Sequence, residues 1–117
     1  MDRRIELIIS RIKKDPTASW DIPALAVLVN LSPSRFRHLF KQETGVTPAQ
    51  FLKDIRLRKA ERMLRTTFLS IKQILKQVGI ASNAHFVRDF RQKYGMTPTA
   101  YRRTINRKRK QNRTRKP

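Results

Sequence analysis

Apolar residues recur along the chain at the spacing of amphipathic helices, and no alternating pattern typical of a strand competes with them. Between residues 1 and 14, isoleucine and leucine are interspersed with charged residues, which predicts a first helix that Pro16 ends. The same segment carries too much charge for a signal peptide or a membrane span. The pattern therefore predicts an all-α fold.

Two further helices follow, separated by a tight turn. Ser19 or Asp21 can cap the second helix, which stops at Asn30, a residue type that tolerates the left-handed backbone of a turn. Ser32-Pro33 combines an N-cap with proline at the first helical position, and this third helix should stop near Gly45. The inward-facing apolar residues are Ile22, Leu25, Ala26 and Val29 in the second helix, and Phe36, Leu39 and Phe40 in the third.

The start signal then recurs. Thr47-Pro48 opens a long helical pattern that runs to about Thr66, and Ser70 begins another short helix that ends at Gly79. A helix over residues 82–94 follows, and Thr97-Pro98 begins a short final helix. Seven helices are therefore predicted.

The second half of this pattern duplicates the first. Three pairs of apolar positions are 49 residues apart and six later pairs are 50 apart, so one extra residue in the second turn accounts for the step. This predicts two helix-turn-helix subdomains of homeodomain-like type, at about 22–43 and 70–94, joined by a long central helix at about 48–66. Together they form one domain over residues 1–103. The pairs are Leu25/Ile74, Val29/Val78, Leu31/Ile80, Phe36/Phe86, Phe40/Phe90, Gly45/Gly95, Thr47/Thr97, Pro48/Pro98 and Phe51/Tyr101.

The charge balance indicates a polyanionic partner. The chain has 28 Lys and Arg against 8 Asp and Glu, a net charge of +20, which makes nucleic acid the first candidate. Nine of the basic residues lie in residues 102–117, which contain no acid, so 19 basic and 8 acidic residues leave +11 for residues 1–101. Residues 104–117 are predicted to form a disordered basic tail that attracts phosphates without distinguishing bases.

A helix-turn-helix unit places its second helix in the major groove while its first helix braces it against the backbone. Two units in one chain imply two groove contacts. A central helix of about 19 residues is about 28 Å long, close to the roughly 34 Å between successive major grooves on one face of the duplex. One chain is thus predicted to bind an asymmetric site of about 20 base pairs without dimerising.

The motifs at these positions resemble the AraC/XylS family of transcription regulators over residues 5–103. The resemblance implies a seven-helix domain with two helix-turn-helix units, sequence-specific binding to double-stranded DNA, and regulation of transcription, more often activation, through RNA polymerase at the promoter. The family commonly carries a further N-terminal domain for ligand binding or dimerisation, so a dimer stays open for a longer protein that contains this chain. The motifs are Leu31-Ser32-Pro33-Ser34, Glu43-Thr44-Gly45, Arg56-Leu57, Met63-Leu64, Ser70-Ile71, Val78-Gly79, Gly95-Met96-Thr97-Pro98 and Tyr101-Arg102.

Three positions depart from the family pattern: Asn30 stands in place of glycine, Met63 in place of leucine, and Leu75 in place of alanine. The first two are mild. Close crossing of the two helices in a helix-turn-helix favours a small side chain, as Ala26 provides in the first unit. Leu75 could therefore shift the second recognition helix, which leaves base recognition by the second unit more open than by the first.

The resemblance assigns base contacts on the first recognition helix to Ser34, Arg37 and His38. Arg37 is the strongest candidate, because a guanidinium can bind guanine O6 and N7 with two parallel hydrogen bonds. The alternative is a solvated basic face.

On the second recognition helix the matching residues are Asn83, Ala84, Val87 and Arg88. Asn83 could pair with adenine, Arg88 with guanine, and Ala84 or Val87 could touch a thymine methyl. The alternatives are that Asn83 only caps the helix, Val87 packs, and Arg88 binds a phosphate.

Phosphate contacts are expected from helix starts, whose free N–H groups and dipole favour anions, and from nearby cations. They are predicted to supply affinity without specificity. The predicted caps are Ser32, Thr47, Ser82 and Thr97, and the predicted cations are Lys41, Lys53, Arg91 and Lys93.

Enzymatic chemistry lacks the residues it needs: the chain has no cysteine, only two separated histidines, few carboxylates and no glycine-rich phosphate loop. No metal site and no cofactor are expected. The expected partners are promoter or operator DNA and RNA polymerase, with a monomeric chain in the bacterial cytoplasm at the nucleoid and no membrane contact. The competing hypothesis is a non-specific nucleic-acid-binding or nucleoid-associated protein, which would not need the duplicated architecture.

Overall fold

The computed structural model describes the backbone of residues 1–114 and the side chains of residues 1–111. Over residues 1–114 the chain forms seven helices and no strand, which confirms the predicted all-α fold. No helix of this described part is long and apolar enough to cross a membrane. The helices are α1 Arg3–Lys14, α2 Ile22–Leu28, α3 Pro33–Thr44, α4 Pro48–Thr66, α5 Ile71–Val78, α6 Asn83–Tyr94 and α7 Pro98–Thr114.

The chain divides into two compact units, a first unit over residues 1–56 and a second unit that begins at Leu57. The first unit contains α1 to α3 and the start of α4. The second contains the rest of α4 and α5 to α7. Each has its own hydrophobic core.

The core of the first unit is built from one face of each of its first three helices. Ile5, Ile8 and Ile12 of α1 recur at helical spacing and are fully buried, and Phe36 and Phe40 of α3 are buried with them. The two rings lie 5.8 Å apart between centroids. The remaining buried members are Leu25, Ala26 and Val29.

The second unit repeats this plan with the later part of α4 in the role of α1. Leu57, Ala60 and Leu64 have the same spacing as the three buried isoleucines of α1, 52 residues earlier, and they are buried against Phe86 and Phe90. The duplication therefore includes the first helix of each unit, which the offsets of 49 and 50 did not reveal. The remaining buried members are Ile74, Leu75 and Val78.

The final helix is longer than the sequence predicted. Instead of a short helix followed by a disordered segment from residue 104, α7 continues to Thr114. Lys and Arg are good helix formers, no Gly or Pro interrupts residues 99–114, and positive charge near a helix C-terminus is favoured by the helix dipole. Arg109 also donates a hydrogen bond to the carbonyl of Arg65. Residues 115–117 of the predicted tail lie outside the described residues.

Candidate nucleic-acid interface

The turn between the two helices of each unit is closed by the same backbone hydrogen bond. The N–H of Leu31 donates to the carbonyl of Ala26 at 3.0 Å, and the N–H of Ile80 donates to that of Leu75, also at 3.0 Å. Asn30, with φ of 58°, and Gly79, with φ of 79°, supply the left-handed residue just before each donor. The larger Leu75 therefore leaves the backbone of the second turn like that of the first.

The recognition helices α3 and α6 are both 12 residues long and are capped in the same way. The Ser32 hydroxyl accepts from the N–H of Arg35 at 3.2 Å, and the Ser82 hydroxyl accepts from the N–H of His85 at 3.2 Å. Both helices end at a glycine in the left-handed conformation. Capping at both ends fixes which residues of each helix face outward.

On α3 the three residues predicted to contact bases lie together on the exposed face. Ser34, Arg37 and His38 are all exposed, while Phe36 and Phe40 are fully buried. Among the described residues, Arg37 has neither an ion pair nor a hydrogen bond to its guanidinium. Ser34 and His38 also line a shallow groove of about 480 Å³ beside Arg4. The donors of this face are thus open to a ligand.

On α6 the corresponding face has a different chemistry. Asn83, Ala84 and Arg88 are exposed, and Val87 is half-buried. The Nε of Arg88 lies 3.3 Å from Oδ1 of Asp89, so this guanidinium is already paired with a carboxylate. The four predicted residues do share one side of the helix, but only Asn83 and Arg88 carry hydrogen-bonding side chains.

Asn83 and Val87 line a groove of about 1030 Å³ within the second unit. Its walls come from α5, from the turn before α6, and from the start of α7. Most of the lining is apolar, and Lys72 and Lys76 of α5 are the cations in it. The other lining residues are Ile71, Leu75, Gly79, Ile80, Ala81, Thr97, Pro98 and Thr99.

The predicted phosphate contacts fall into two groups. Thr47 and Thr97 are confirmed as caps, since their hydroxyls accept from the N–H groups of Gln50 and Ala100 at 3.2 Å, as the serine caps of α3 and α6 do. Whether they also bind phosphate stays a prediction. The cations Lys41, Lys53, Arg91 and Lys93 are exposed, and the Nζ of Lys93 lies 5.8 Å from the centroid of the Tyr94 ring.

In each unit, one arginine anchors the loop that precedes the helix-turn-helix, a role that the sequence did not reveal. Arg56 donates to the carbonyls of Pro16 and Ala18, both at 2.9 Å. Burial lowers the pKa of this guanidinium. Arg102 donates to three carbonyls, those of Leu64 at 3.3 Å, Thr67 at 3.0 Å and Leu69. Both arginines belong to the recognised motifs, but their acceptors are backbone atoms 33 to 40 residues away, which no side-chain pattern encodes.

A polar cluster supports the second core at its edge. The Tyr101 hydroxyl donates to Oε1 of Glu61 at 2.9 Å, and Arg65 pairs with the same carboxylate. Burial acts to raise the pKa of Glu61, but the hydrogen bonds from Arg65 and Tyr101 outweigh it and leave the pKa below its ordinary value. Burial and the bond to Glu61 raise the pKa of Tyr101. No group of three or more side chains suited to hold a metal ion occurs among the described residues.

Comparison with known proteins fits this geometry. Residues 25–104 match the helix-turn-helix domain family. The DNA-binding domain of AdpA, a global transcriptional factor crystallised with a target DNA, superposes with a TM-score of 0.85 at 25% identity, covering 94% of this chain and 99% of that one. A regulator from Chromobacterium violaceum with an AraC-type DNA-binding domain superposes at 0.78 with 26% identity, over 87% and 91% of the two chains.

Among curated proteins, the RCS-specific transcriptional activator RclR of Escherichia coli is 30% identical over 102 residues, which is 87% of this chain and 36% of the relative. The chain spans about a third of the length of the curated relatives that it matches first. Two capped recognition helices, the duplicated turns and a family match over most of the sequence lead to one assignment. The chain belongs to the AraC/XylS family of helix-turn-helix transcription regulators and constitutes a DNA-binding domain of that family.

Proposed function

We propose that the chain regulates transcription by binding one asymmetric operator, with α3 and α6 each placed in the major groove. The observation that carries this proposal is the outward face of α3, where Ser34, Arg37 and His38 are exposed while the opposite face is locked into the core. A guanidinium without an internal partner can bind the O6 and N7 atoms of guanine bidentately. Arg37 is therefore proposed as the main specificity residue of the first unit.

Fixed placement of these side chains favours base recognition over simple charge attraction. Binding bidentately requires the guanidinium to reach a base edge in one orientation, and the caps and core of the first unit hold α3 for that purpose. A non-specific binder with a charge of +20 would gain nothing from two such helices. The alternative is binding by charge attraction alone, which selection of binding sites can detect.

Phosphate binding supplies the remaining affinity in this proposal. The first N–H groups of α3, α4, α6 and α7 follow hydroxyl caps and favour anions, and the predicted lysines and arginines are exposed on α3, α4 and α6. We assign these contacts to the predicted set: Ser32, Lys41, Thr47, Lys53, Ser82, Arg91, Lys93 and Thr97.

The domain acts by binding alone in this proposal, without catalysis or cofactor. We propose that the chain activates transcription and does so by contacting RNA polymerase; activation is supported by its relative RclR, a transcriptional activator. We infer that the isolated chain binds as a monomer, since it carries both recognition helices, and that it acts at the bacterial nucleoid.

The test is selection of binding sites from random duplex DNA at about 150 mM salt, followed by affinity measurements on the enriched sequence. Arg37→Ala is expected to weaken binding about 10- to 100-fold and to relax the preference at one position. Arg37→Lys keeps the charge but not the planar fork, so it should relax the same position. Arg35→Ala is the matched control, because Arg35 is also exposed on α3 and its loss should affect all sequences alike.

An enriched motif that loses one position in Arg37→Lys supports the proposal. Absence of any motif, or equal weakening of all sequences by both arginine variants, would establish a charge-driven binder instead. Placing the enriched site upstream of a promoter in a purified transcription reaction then tests activation. A monomeric complex by light scattering tests the proposed stoichiometry.

A further inference from the structure

We infer that the second unit recognises its half-site through the 5-methyl groups of thymine, by apolar contact in the groove beside α6. This inference rests on the proposed function, because it assumes that α6 enters the major groove. It assigns different chemistry to the two halves of one operator. The observations that carry it are the residues aligned between the units, the lining of the groove and the pairing of Arg88.

The alignment of the units shows which hydrogen-bonding side chains are lost. With the offset of 50 residues, Ser34 corresponds to Ala84 and Arg37 corresponds to Val87. The backbone around them is the same, since both helices begin at a serine cap and end at a left-handed glycine. Two of the three base-contacting positions of the first unit therefore carry only methyl groups in the second.

The groove beside α6 provides an apolar surface at one of these two positions, that of Val87. Val87 is half-buried and lies along it with Leu75 and Ile80, while Lys72 and Lys76 are exposed on α5. Leu75 thus enlarges the apolar lining at the position where the first unit has fully buried Ala26. A surface with an apolar lining and exposed cations fits a thymine methyl next to its backbone phosphate.

The arginine among the matched positions of α6 already has a carboxylate partner. Arg88 corresponds to His38, and its Nε is paired with Asp89 at 3.3 Å. The Asp89 side chain is only 12% exposed, so the carboxylate is held in place while the arginine extends over it. The pair occupies Nε and restrains the guanidinium, and it leaves the two Nη groups as the donors that remain for DNA. Asn83, the other hydrogen-bonding residue among the matched positions, suits adenine, the partner of thymine.

The test is a thermodynamic cycle in which a protein substitution and a DNA substitution are made singly and together, and the affinity for the selected operator is measured each time. Because the chain lacks cysteine, Gln92→Cys on the exposed side of α6 offers a single attachment point for an iron chelate. Cleavage by the tethered chelate identifies the half-site that α6 occupies. Deoxyuridine then replaces each thymine, one position at a time, which removes one methyl group and leaves every hydrogen-bonding atom in place.

Replacement in the α6 half-site is expected to lower affinity about fourfold for each contacted methyl, from about 0.8 kcal/mol per buried methyl-sized group. Replacement in the α3 half-site should have no effect. In Val87→Ala the thymine and deoxyuridine operators should bind equally, because the contact is already lost. Val87→Thr retains one methyl at the same volume and serves as the folding control, monitored by circular dichroism.

Independent, additive losses from Val87→Ala and deoxyuridine would overturn the inference, as would sensitivity confined to the α3 half-site. Loss of activation by Val87→Ala with unchanged DNA affinity would also overturn it and assign the groove to a protein partner. Failure of the proposed function looks different, because no operator is then enriched and the cycle cannot be built.

Discussion

The two units share a backbone but differ in the chemistry of the face that each presents to a ligand. The turn hydrogen bonds are 3.0 Å in both, the serine caps accept at 3.2 Å in both, and the closing glycines have φ of 83° and 81°. On that common frame Arg37 is replaced by Val87 and Ser34 by Ala84. Inward-facing and capping residues therefore determine the fold, while the outward residues are free to specify different DNA.

The hydrophobic cores of the two units also differ, but less than their outward faces do. Phe40 packs edge-on against Phe51 in the first unit, with centroids 5.3 Å apart, and Phe90 packs in the same way against Tyr101 at 5.3 Å. The tyrosine adds a hydroxyl that reaches Glu61. The second unit thus has a polar connection between α4 and α7 at the ring position where the first has only hydrocarbon.

The largest expected effect is the loss of stability when a loop-anchoring arginine is removed, and its size should differ between Arg102 and Arg56. Arg102→Ala removes three hydrogen bonds to carbonyls and is expected to lower the free energy of unfolding by about 3 kcal/mol. Arg56→Ala removes two such bonds, so we expect about 2 kcal/mol. Urea unfolding followed by circular dichroism measures both.

The single tryptophan distinguishes the two anchors spectroscopically. Trp20 donates its indole N–H to the carbonyl of Asp15, in the loop that Arg56 anchors. Its emission in the folded protein should change in Arg56→Ala and not in Arg102→Ala. Arg103→Ala, at an exposed position of α7, is the control. A comparable loss of stability in this control would attribute the effect to charge instead of loop anchoring.

The second prediction removes the difference between the recognition faces. The variant Ala84→Ser, Val87→Arg, Arg88→His gives α6 the outward residues of α3. Because a bidentate arginine–guanine contact contributes about 2 kcal/mol of discrimination, site selection should now enrich the α3 half-site sequence in both halves. Ala84→Ser alone is the matched control and should leave the motif nearly unchanged. An unaltered motif in the triple variant would mean that these positions do not determine specificity.

The smallest expected effect is a loss of stability when the difference between the two cores is removed. Tyr101→Phe gives the second unit the ring of the first and removes the hydrogen bond to Glu61, so we expect a loss of about 1 kcal/mol near neutral pH. The pKa of Glu61 lies below its ordinary 4.5, so the carboxylate stabilises the fold above that value and ceases to do so as pH falls through the lower folded pKa. The difference between wild type and variant should therefore narrow in acid. Urea midpoints at about pH 7 and about pH 3 measure it; a constant difference would contradict the role of the ionised carboxylate.

Most of the fold follows from local signals in the sequence. Serine or threonine before proline marks the starts of α3, α4 and α7, and Gly45 and Gly95 mark the ends of α3 and α6, because each acts within a few residues. The duplicated spacing of buried residues then pairs the units. The same pattern predicts which residues of α3 and α6 face outward, and the resemblance to the AraC/XylS family selects the candidate base contacts from among them.

Features that depend on side-chain orientation or on distant partners could not be predicted in this way. The pairing of Arg88 with Asp89 depends on side-chain orientation, and the anchoring by Arg56 and Arg102 depends on carbonyls far along the chain. The length of α7 was underestimated because a run of lysine and arginine is typical both of a solvated tail and of a helix. The way in which the large Leu75 side chain is accommodated could be seen only from the groove that it lines.

The loop anchors have a consequence for how such a chain can diverge. A guanidinium that binds main-chain carbonyls does not depend on which side chains the loop carries, since every residue offers the same acceptor. The segments 16–19 and 66–69 share only one residue at corresponding positions, Thr17 and Thr67, yet each is fastened by an arginine. Mutations can therefore accumulate in these connecting segments without removing the arginine anchor, and sequence drift there carries little information about lost function.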